Sequence, residues 1–338
     1  MDIGPDVELL FVGSSHGPER ALAADAGIPF KAVPSSSLTR ALSVRNAVSL
    51  ARLAAGVPRA RRILKSFGAR VVIGTGGYTT AAVLLAARTL GMKIVIHEQN
   101  AVPGRTNLWL ARIADRVCVT FESSASYFDS RKVVVTGMPI REVFSRLPAK
   151  AEARRALGLR EDAFTILIIG GSQGARRLNE LMLGAWPLLD DGATQVLHQV
   201  GERNVEEARA AAEEFGKSYR VEAYLDTPAA MAAADLVICR SGASTIYEVA
   251  AAGLPSILIP YPFAYADHQK RNAEYLVEHG AAILCEEGMC SSRWLVDIVR
   301  ELREAPERLA AMASASAALA RPDAARKVAE VAVDLCAN

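Results

Sequence analysis

Phe164-Thr165-Ile166-Leu167-Ile168-Ile169 runs straight into Gly170-Gly171-Ser172-Gln173-Gly174-Ala175. A run of branched aliphatics without polar alternation reads as a parallel strand buried on both faces. The glycines after it read as a tight turn into a helix, whose first N–H groups favour an anion such as a diphosphate. Strand, glycine turn and helix make up the unit of an open α/β sheet, in which ligands bind beyond the carboxyl ends of the strands.

The same unit recurs in both directions along the chain. Upstream, strand patterns fall at 7–12, 71–74, 93–97, 116–120 and 132–136. Downstream they fall at 195–200, 220–225, 236–239, 256–259 and 281–285. Helical periodicity fills the intervals, as at 80–90 and 205–215, and the tail after Pro322 reads as an amphipathic helix carrying Val328, Val331, Val333 and Leu335. Eleven strands are too many for one ordinary open sheet, so two are expected, parted near 141–162, where Pro148 and a charged segment intervene. The expected domains are 1–143, 144–318 and a C-terminal helix, 319–338, packing back on the first.

Two further glycine turns close strands: Gly74-Thr75-Gly76-Gly77-Tyr78, and Cys239-Arg240-Ser241-Gly242-Ala243-Ser244-Thr245. None of the three matches a Walker A loop or the dinucleotide fingerprint. Tight βα turns use glycine in any case, but two such turns in one half favour a phosphate-bearing ligand there. Glu248 lies one turn into the helix after the third. The helix dipole alone accounts for a carboxylate at that place, and so does a ribose diol in need of acceptors. The block His97-Glu98-Gln99-Asn100 closes another strand, and Asp267-His268-Gln269 follows the strand at 256–259. Metal-ligand spacing and a G-x-S-x-G elbow are both missing from the sequence.

The formal charge of +2 gives no reason to expect a nucleic-acid binder. It conceals a division: residues 1–144 hold 18 Lys/Arg and 10 Asp/Glu, the rest 21 and 27. Between Asp25 and Glu98 there are eleven basic residues and no acidic one. The stretch 45–70 interleaves basic residues with Val48, Leu50, Leu53, Ile63, Leu64 and Phe67, a pattern suited to an anionic membrane surface. A solvated basic face is the plainer alternative. Five scattered cysteines read as reduced, in a cytosolic protein. Residues 1–6 lack the marks of a signal peptide, and no apolar run approaches the ~20 residues of a membrane span.

The three glycine turns, the His97–Asn100 block, Glu248 through Ala252-Gly253-Leu254-Pro255, and Asp267-His268-Gln269 with Asn272-Ala273 together resemble the MurG family. These are the N-acetylglucosaminyltransferases of bacterial peptidoglycan synthesis. The likeness implies an α/β GT-B fold, with two Rossmann-like parallel-sheet domains facing across a cleft. It implies UDP-GlcNAc as donor and lipid I, an undecaprenyl-diphosphate-linked acceptor, as partner. The 4-hydroxyl of the acceptor sugar would displace UDP with inversion, giving lipid II, with no cofactor and no bound metal. The enzyme would work peripherally at the cytoplasmic face of the inner membrane.

The same resemblance implies roles for residues. Ser172 would contact the diphosphate. The helix start Ala243, Ser244, Thr245, Ile246, Tyr247 and Glu248 would hold phosphate and ribose, Glu248 taking the ribose hydroxyls. Arg141 and the backbone of Leu225 would meet uracil beside Tyr224, Gln269 would read sugar hydroxyls, and Asn100 would belong to the acceptor side. The likeness has departures. A first strand with a Gly-Gly-Thr-Gly-Gly-His loop, normal in the family, is expected to be missing, which would lower stability. Met138 replaces the Asn of a Gly-Asn-Pro-x-Arg turn, and His268 stands where some members have Gln. No general base is assigned; His97, Glu98 and His16 are the nearby candidates. Other readings are an impaired UDP-GlcNAc-binding protein and a UDP-GlcNAc epimerase of similar fold.

Overall fold

A computed structural model describes residues 7–15, 17–34, 44–171 and 174–337, with the backbone alone for residues 44–52 and Tyr78. The chain divides into two compact units, residues 1–138 with 323–338, and residues 139–322.

In the first unit, β1 (Phe11–Gly13) pairs in parallel with β2 (Phe30–Ala32) as a two-stranded sheet. A four-stranded parallel sheet follows in the order β3 (Val71–Gly74), β4 (Lys93–Glu98), β5 (Arg116–Val119), β6 (Val133–Val135). One hydrophobic core joins them, with Val33 from beside β2, Val72, Leu84, Ile94, Ile96 and Val117 buried together and Val12 packed against it. Each such aliphatic side chain, once fully buried, contributes about 1.5–3 kcal/mol. The opposite face of β4 and β5 takes the helix Ala324–Ala337, whose Val328, Ala332 and Leu335 cover Val95 and Cys118. Their spacing of four and three residues forms a single helical stripe, and Val333, off that stripe, is exposed.

One expectation needs correction here. The strand pattern at 7–12 pairs only from Phe11, and its partner β2 was missed. In the helix Val44–Phe67, Leu53, Ile63 and Leu64 turn into the core, whereas Arg59, Arg61, Arg62 and Lys65 are exposed. Leu64 is buried, Leu53 and Ile63 are half-buried against the core, and Phe67 is half-buried outside it. Val48 and Leu50 lie outside the described side chains.

In the second unit six parallel strands follow the order β12-β11-β10-β7-β8-β9. They are β7 (Phe164–Ile169), β8 (Thr194–Gln199), β9 (Tyr219–Glu222), β10 (Leu236–Cys239), β11 (Ser256–Leu258) and β12 (Ala282–Leu284). β7 is buried on both faces, as its sequence requires. The pattern at 205–215 gives a helix only over Val205–Ala211, with a 3-10 turn at Glu213–Ser218 in which Gly216 adopts φ 68°.

Buried Arg154 ties the helix Lys150–Ala156 to this sheet. It donates to Ala233 O at 3.0 Å and Asp235 Oδ2 at 2.6 Å, while Asp235 also accepts the Thr165 N–H at 2.7 Å. Another buried network joins three elements: His198 Nδ1 lies 2.7 Å from the Tyr219 hydroxyl and its Nε2 lies 3.1 Å from Asn179 Oδ1.

Candidate active site

β7 and β10 lie side by side, but their other neighbours lead in opposite directions, β8 and β9 one way and β11 and β12 the other. This is the topological switch point at which open α/β sheets bind ligands. The two glycine turns of this unit leave the sheet there. Gly170, Gly171 and Gly174 follow β7, the last two with φ of 83° and 72°. A Cβ on Gly174 would lie 2.1 Å from Val200 O, so only glycine fits. Ser172 and Gln173 lie outside the described residues.

The turn after β10 is held from behind. The Ser241 hydroxyl donates to Gln269 O at 2.7 Å, and Asn272 Nδ2 donates to Ser241 O at 3.1 Å. Arg240 is turned to Ile259 O, Pro260 O and Glu287, so its charge serves the turn's anchoring. Gly242 caps the helix Ala243–Ala251 and brings no side-chain oxygen to its first N–H groups. Ile246 N–H already bonds Gly242 O, and the Ile246 and Tyr247 side chains are buried. Ala243, Ser244 and Thr245 thus supply the helix-start N–H groups, while the Ser244 and Thr245 side chains and Glu248 reach the accessible side.

Glu248 is half-buried, and both Nε and Nη2 of Arg141 approach its Oε1 at 3.3 Å. Burial pushes its carboxyl above the usual carboxylate range, with Arg141 pulling the other way. Gln269 opens the helix His268–Glu278, and its Oε1 accepts the Tyr261 N–H at 2.9 Å. That helix is aimed by two strained residues, Ala266 and Asp267, with φ of 49° and 53°. Leu225 N–H donates to Gln199 Oε1 at 3.2 Å beside exposed Tyr224.

The first unit carries its own polar cluster at the ends of β3 and β4. Gly76 and Gly77 turn with φ of 94° and 83° into the helix Gly77–Thr89. Buried Glu98 is an acceptor hub: Oε1 takes the Asn100 N–H at 3.0 Å, and Oε2 takes Gly104 N–H at 3.1 Å and Asn107 Nδ2 at 2.8 Å. Among the described residues Asn107 Oδ1 is buried with no hydrogen-bond partner, and it lies 3.4 Å from where a Gly76 Cβ would stand. Gln99 Nε2 bridges to Thr75 O at 2.9 Å. His97 Nε2 lies 3.0 Å from Gly137 O, and burial pulls its pKa down. His97 and Glu98 are thus engaged in holding the loop, and His16 lies outside the described residues. Met138 Sδ accepts the Thr120 hydroxyl at 3.8 Å.

Two family models match the chain: the glycosyltransferase family 28 N-terminal domain over residues 1–119 and the C-terminal domain over residues 165–328. A relative from Desulforudis audaxviator is 40% identical over 97% of this chain and 90% of its own length. One from Geobacter sulfurreducens is 40% identical over 95% and 88%. Both are named UDP-N-acetylglucosamine–N-acetylmuramyl-(pentapeptide) pyrophosphoryl-undecaprenol N-acetylglucosamine transferase. The crystal structure of Acinetobacter baumannii MurG superposes with a TM-score of 0.77, at 30% identity, over 97% of this chain and 91% of that one. The chain belongs to the MurG family.

Its fold is accordingly GT-B, built from two Rossmann-like parallel-sheet domains. A UDP-GlcNAc 2-epimerase from Neisseria meningitidis also superposes, with a TM-score of 0.66, but at 14% identity it speaks for the fold alone. Within the second unit of this MurG-family chain, the structure assembles Arg141 with Glu248 and links Gln269 to the turn after β10. Asn100 belongs to the separate cluster of the first unit. Sequence reading missed Asn107, Arg240 and the holding role of Asn272. For Asn107 the one local signal is a third side-chain amide, nine residues after Glu98.

Proposed function

We infer that this chain moves N-acetylglucosamine from UDP-GlcNAc to the 4-hydroxyl of the N-acetylmuramyl sugar of lipid I, releasing UDP and forming lipid II. The observation that carries this reading is the pair of glycine turns at one switch point with Glu248 beside them. The names of relatives 40% identical over almost the whole chain agree with it.

Each part of the donor finds matching chemistry. The N–H groups of Ala243, Ser244 and Thr245 and the turn after β7, which contains Ser172, face the diphosphate. Charge that develops on the leaving UDP falls on donors already in place. Glu248 takes the ribose diol, the Leu225 backbone and Tyr224 meet the base, and Gln269 reads hydroxyls of the sugar. The Leu225 and Gln269 groups are occupied within the protein, so ligand contact there exchanges or shares those bonds. The acceptor oxygen attacks the anomeric carbon as the bond to the diphosphate breaks, inverting the centre. Asn100 and the turn at Gly76 and Gly77 serve the acceptor, with Glu98 fixing the loop between them. His97 and Glu98 are poor candidates for the base that takes the hydroxyl proton, because their polar atoms are committed.

No helix among the described residues is long and apolar enough to cross a membrane. Exposed Arg59, Arg61, Arg62, Lys65, Arg70 and Arg88 support peripheral attachment to anionic lipid through charge, on the cytoplasmic face. Vesicle co-sedimentation should weaken steeply as salt rises, and binding indifferent to anionic lipid would count against attachment.

Release of UDP from UDP-GlcNAc, followed with a soluble lipid I analogue, tests the transferase reading. Release that depends on the acceptor is expected. Conversion of the UDP-sugar without acceptor would favour an epimerase, and saturable UDP-GlcNAc binding without turnover an inactive binder.

A further inference from the structure

Cys285 and Cys290 bracket the loop Glu286-Glu287-Gly288-Met289 that follows β12. Their thiols hydrogen-bond to each other, and both side chains are buried in the core of the second unit. Glu286 O accepts the N–H groups of Met289 at 2.8 Å and Cys290 at 3.1 Å, with the Cys285 thiol 3.7 Å away. Those bonds fold the loop into one turn and bring its two ends together. The turn itself faces solvent, with Glu286, Gly288 and Met289 exposed. Its two carboxylates are both engaged. Glu287 pairs with Arg240 in the turn after β10, and Glu286 Oε1 lies 2.5 Å from Nζ of Lys270, the residue after Gln269.

We propose that Cys285 and Cys290 form a redox-sensitive dithiol, which a low-molecular-weight disulfide closes to an internal disulfide that loosens the hold of Glu287 on Arg240. One cysteine thiolate attacks a sulfur of the small disulfide, giving a mixed disulfide and one small thiolate. The second cysteine thiolate attacks the protein sulfur of that mixed disulfide and expels the other small thiolate. The cysteines lose two electrons and the small disulfide gains them. The two protons leave with the two small thiols. The second step is favoured because the thiols already touch, so it runs at a high effective concentration. A covalent bond is shorter than the hydrogen bond it replaces, so closure draws the loop ends together and moves Glu286 and Glu287 within the ring. Burial pushes the Cys290 thiol up to about 12 and raises that of Cys285. Glu286 and Glu287 add to the rise, and Arg177 of the helix Arg176–Leu189 opposes it at Cys290. Exchange needs a thiolate, so the pair resists brief exposure and closes under a sustained oxidising poise. The effect on ligand binding rests on the reading of the turn after β10 as part of the nucleotide site; the disulfide itself does not.

The test holds the purified chain in graded ratios of glutathione disulfide to glutathione, alkylates it with iodoacetamide in denaturant and reads a tryptic digest by mass. Peptide 272–293 contains Cys285 and Cys290 and no other cysteine. Under an oxidising ratio it should carry no alkyl group and be lighter by two hydrogens, and dithiothreitol before alkylation should restore two alkylated cysteines. Cys118 and Cys239, buried in strands, should stay reduced. Calorimetric titration should show UDP bound about three- to tenfold more weakly by the oxidised chain, up to the scale of one charge-assisted hydrogen bond, and recovery on reduction. Cys290→Ser and Cys285→Ala should each bind UDP as the reduced wild type does and ignore the oxidant, whereas Glu287→Gln should mimic oxidation in the reduced chain. Two alkylated cysteines at every ratio, or a glutathione adduct without the internal bond, would overturn the dithiol. A disulfide that leaves UDP affinity unchanged would overturn its link to Arg240. Failure of the reduced wild type to bind UDP would instead overturn the reading of the nucleotide site, with the mass result still deciding the thiol pair.

Discussion

Cys239 stands directly opposite Ile169 in the parallel pairing of β10 with β7. Gly170 and Arg240 are the next residues of their chains, so both glycine-bearing turns of the second unit start level with each other. That register brings two segments 70 residues apart in the chain to one end of one sheet.

Gly174 should be intolerant of even a methyl group. It combines φ 72° with a Cβ position 2.1 Å from Val200 O. Gly174→Ala is expected to cost about 2 kcal/mol or more from backbone strain and overpacking. Thermal unfolding should record the loss, and UDP titration a parallel fall in affinity, since the turn itself must shift.

Glu98→Gln replaces an oxygen that accepts two N–H groups with an amide that accepts fewer, and places a donor among donors. The loop from Asn100 to Gly104 and the Asn107 amide lose their common anchor. Turnover with acceptor should fall about 10–100-fold, as for loss of one or two hydrogen bonds to a charged group, while UDP affinity stays near wild type. Equal loss of both would mean that the change unfolds the chain.

Arg154→Ala should be among the most destabilising single substitutions. It removes a buried cation and leaves Asp235 and the Ala233 carbonyl with donors lost. Asp235 is only partly buried and keeps Lys150 Nζ at 2.8 Å, so the loss should be about 2–3 kcal/mol, that of hydrogen bonds from a buried charged group, which chemical denaturation would read as a lower midpoint at an unchanged slope.

His198 supplies a pH dependence with a definite sign. Burial pulls its pKa down to about 3, against an ordinary 6.5. The unfolded chain therefore binds a proton that the folded chain refuses between those values. Stability is full above about pH 6.5 and declines as pH falls towards 3, by about 1.4 kcal/mol per unit within the window. Denaturation midpoints across that range should show the slope, and His198→Gln should remove this part of it while lowering stability at neutral pH.

What was legible in the sequence follows from how local its cause is. β7 announces itself because burial on both faces demands an unbroken aliphatic run. β2 does not, because Phe30–Ala32 is three residues long and owes its strand state to β1. The glycine turns and Glu248 could be marked as candidates from spacing along one strand–turn–helix unit. Arg141 meets Glu248 across 107 positions and Arg154 meets Asp235 across 81, distances over which a single sequence carries no pairing signal. The apolar residues of the helix Val44–Phe67 show the converse. Their composition suited a membrane, and only the packing reveals that Leu53, Ile63 and Leu64 belong to the core.

The central claim is a transfer of sugar, and the mass of the acceptor after reaction tests it most directly. The purified chain with UDP-GlcNAc and a soluble lipid I analogue should convert the analogue to a species heavier by one N-acetylhexosamine residue, attached at the 4-hydroxyl of its N-acetylmuramyl sugar. An acceptor of unchanged mass, in a preparation that still binds UDP and unfolds cooperatively, would contradict the account.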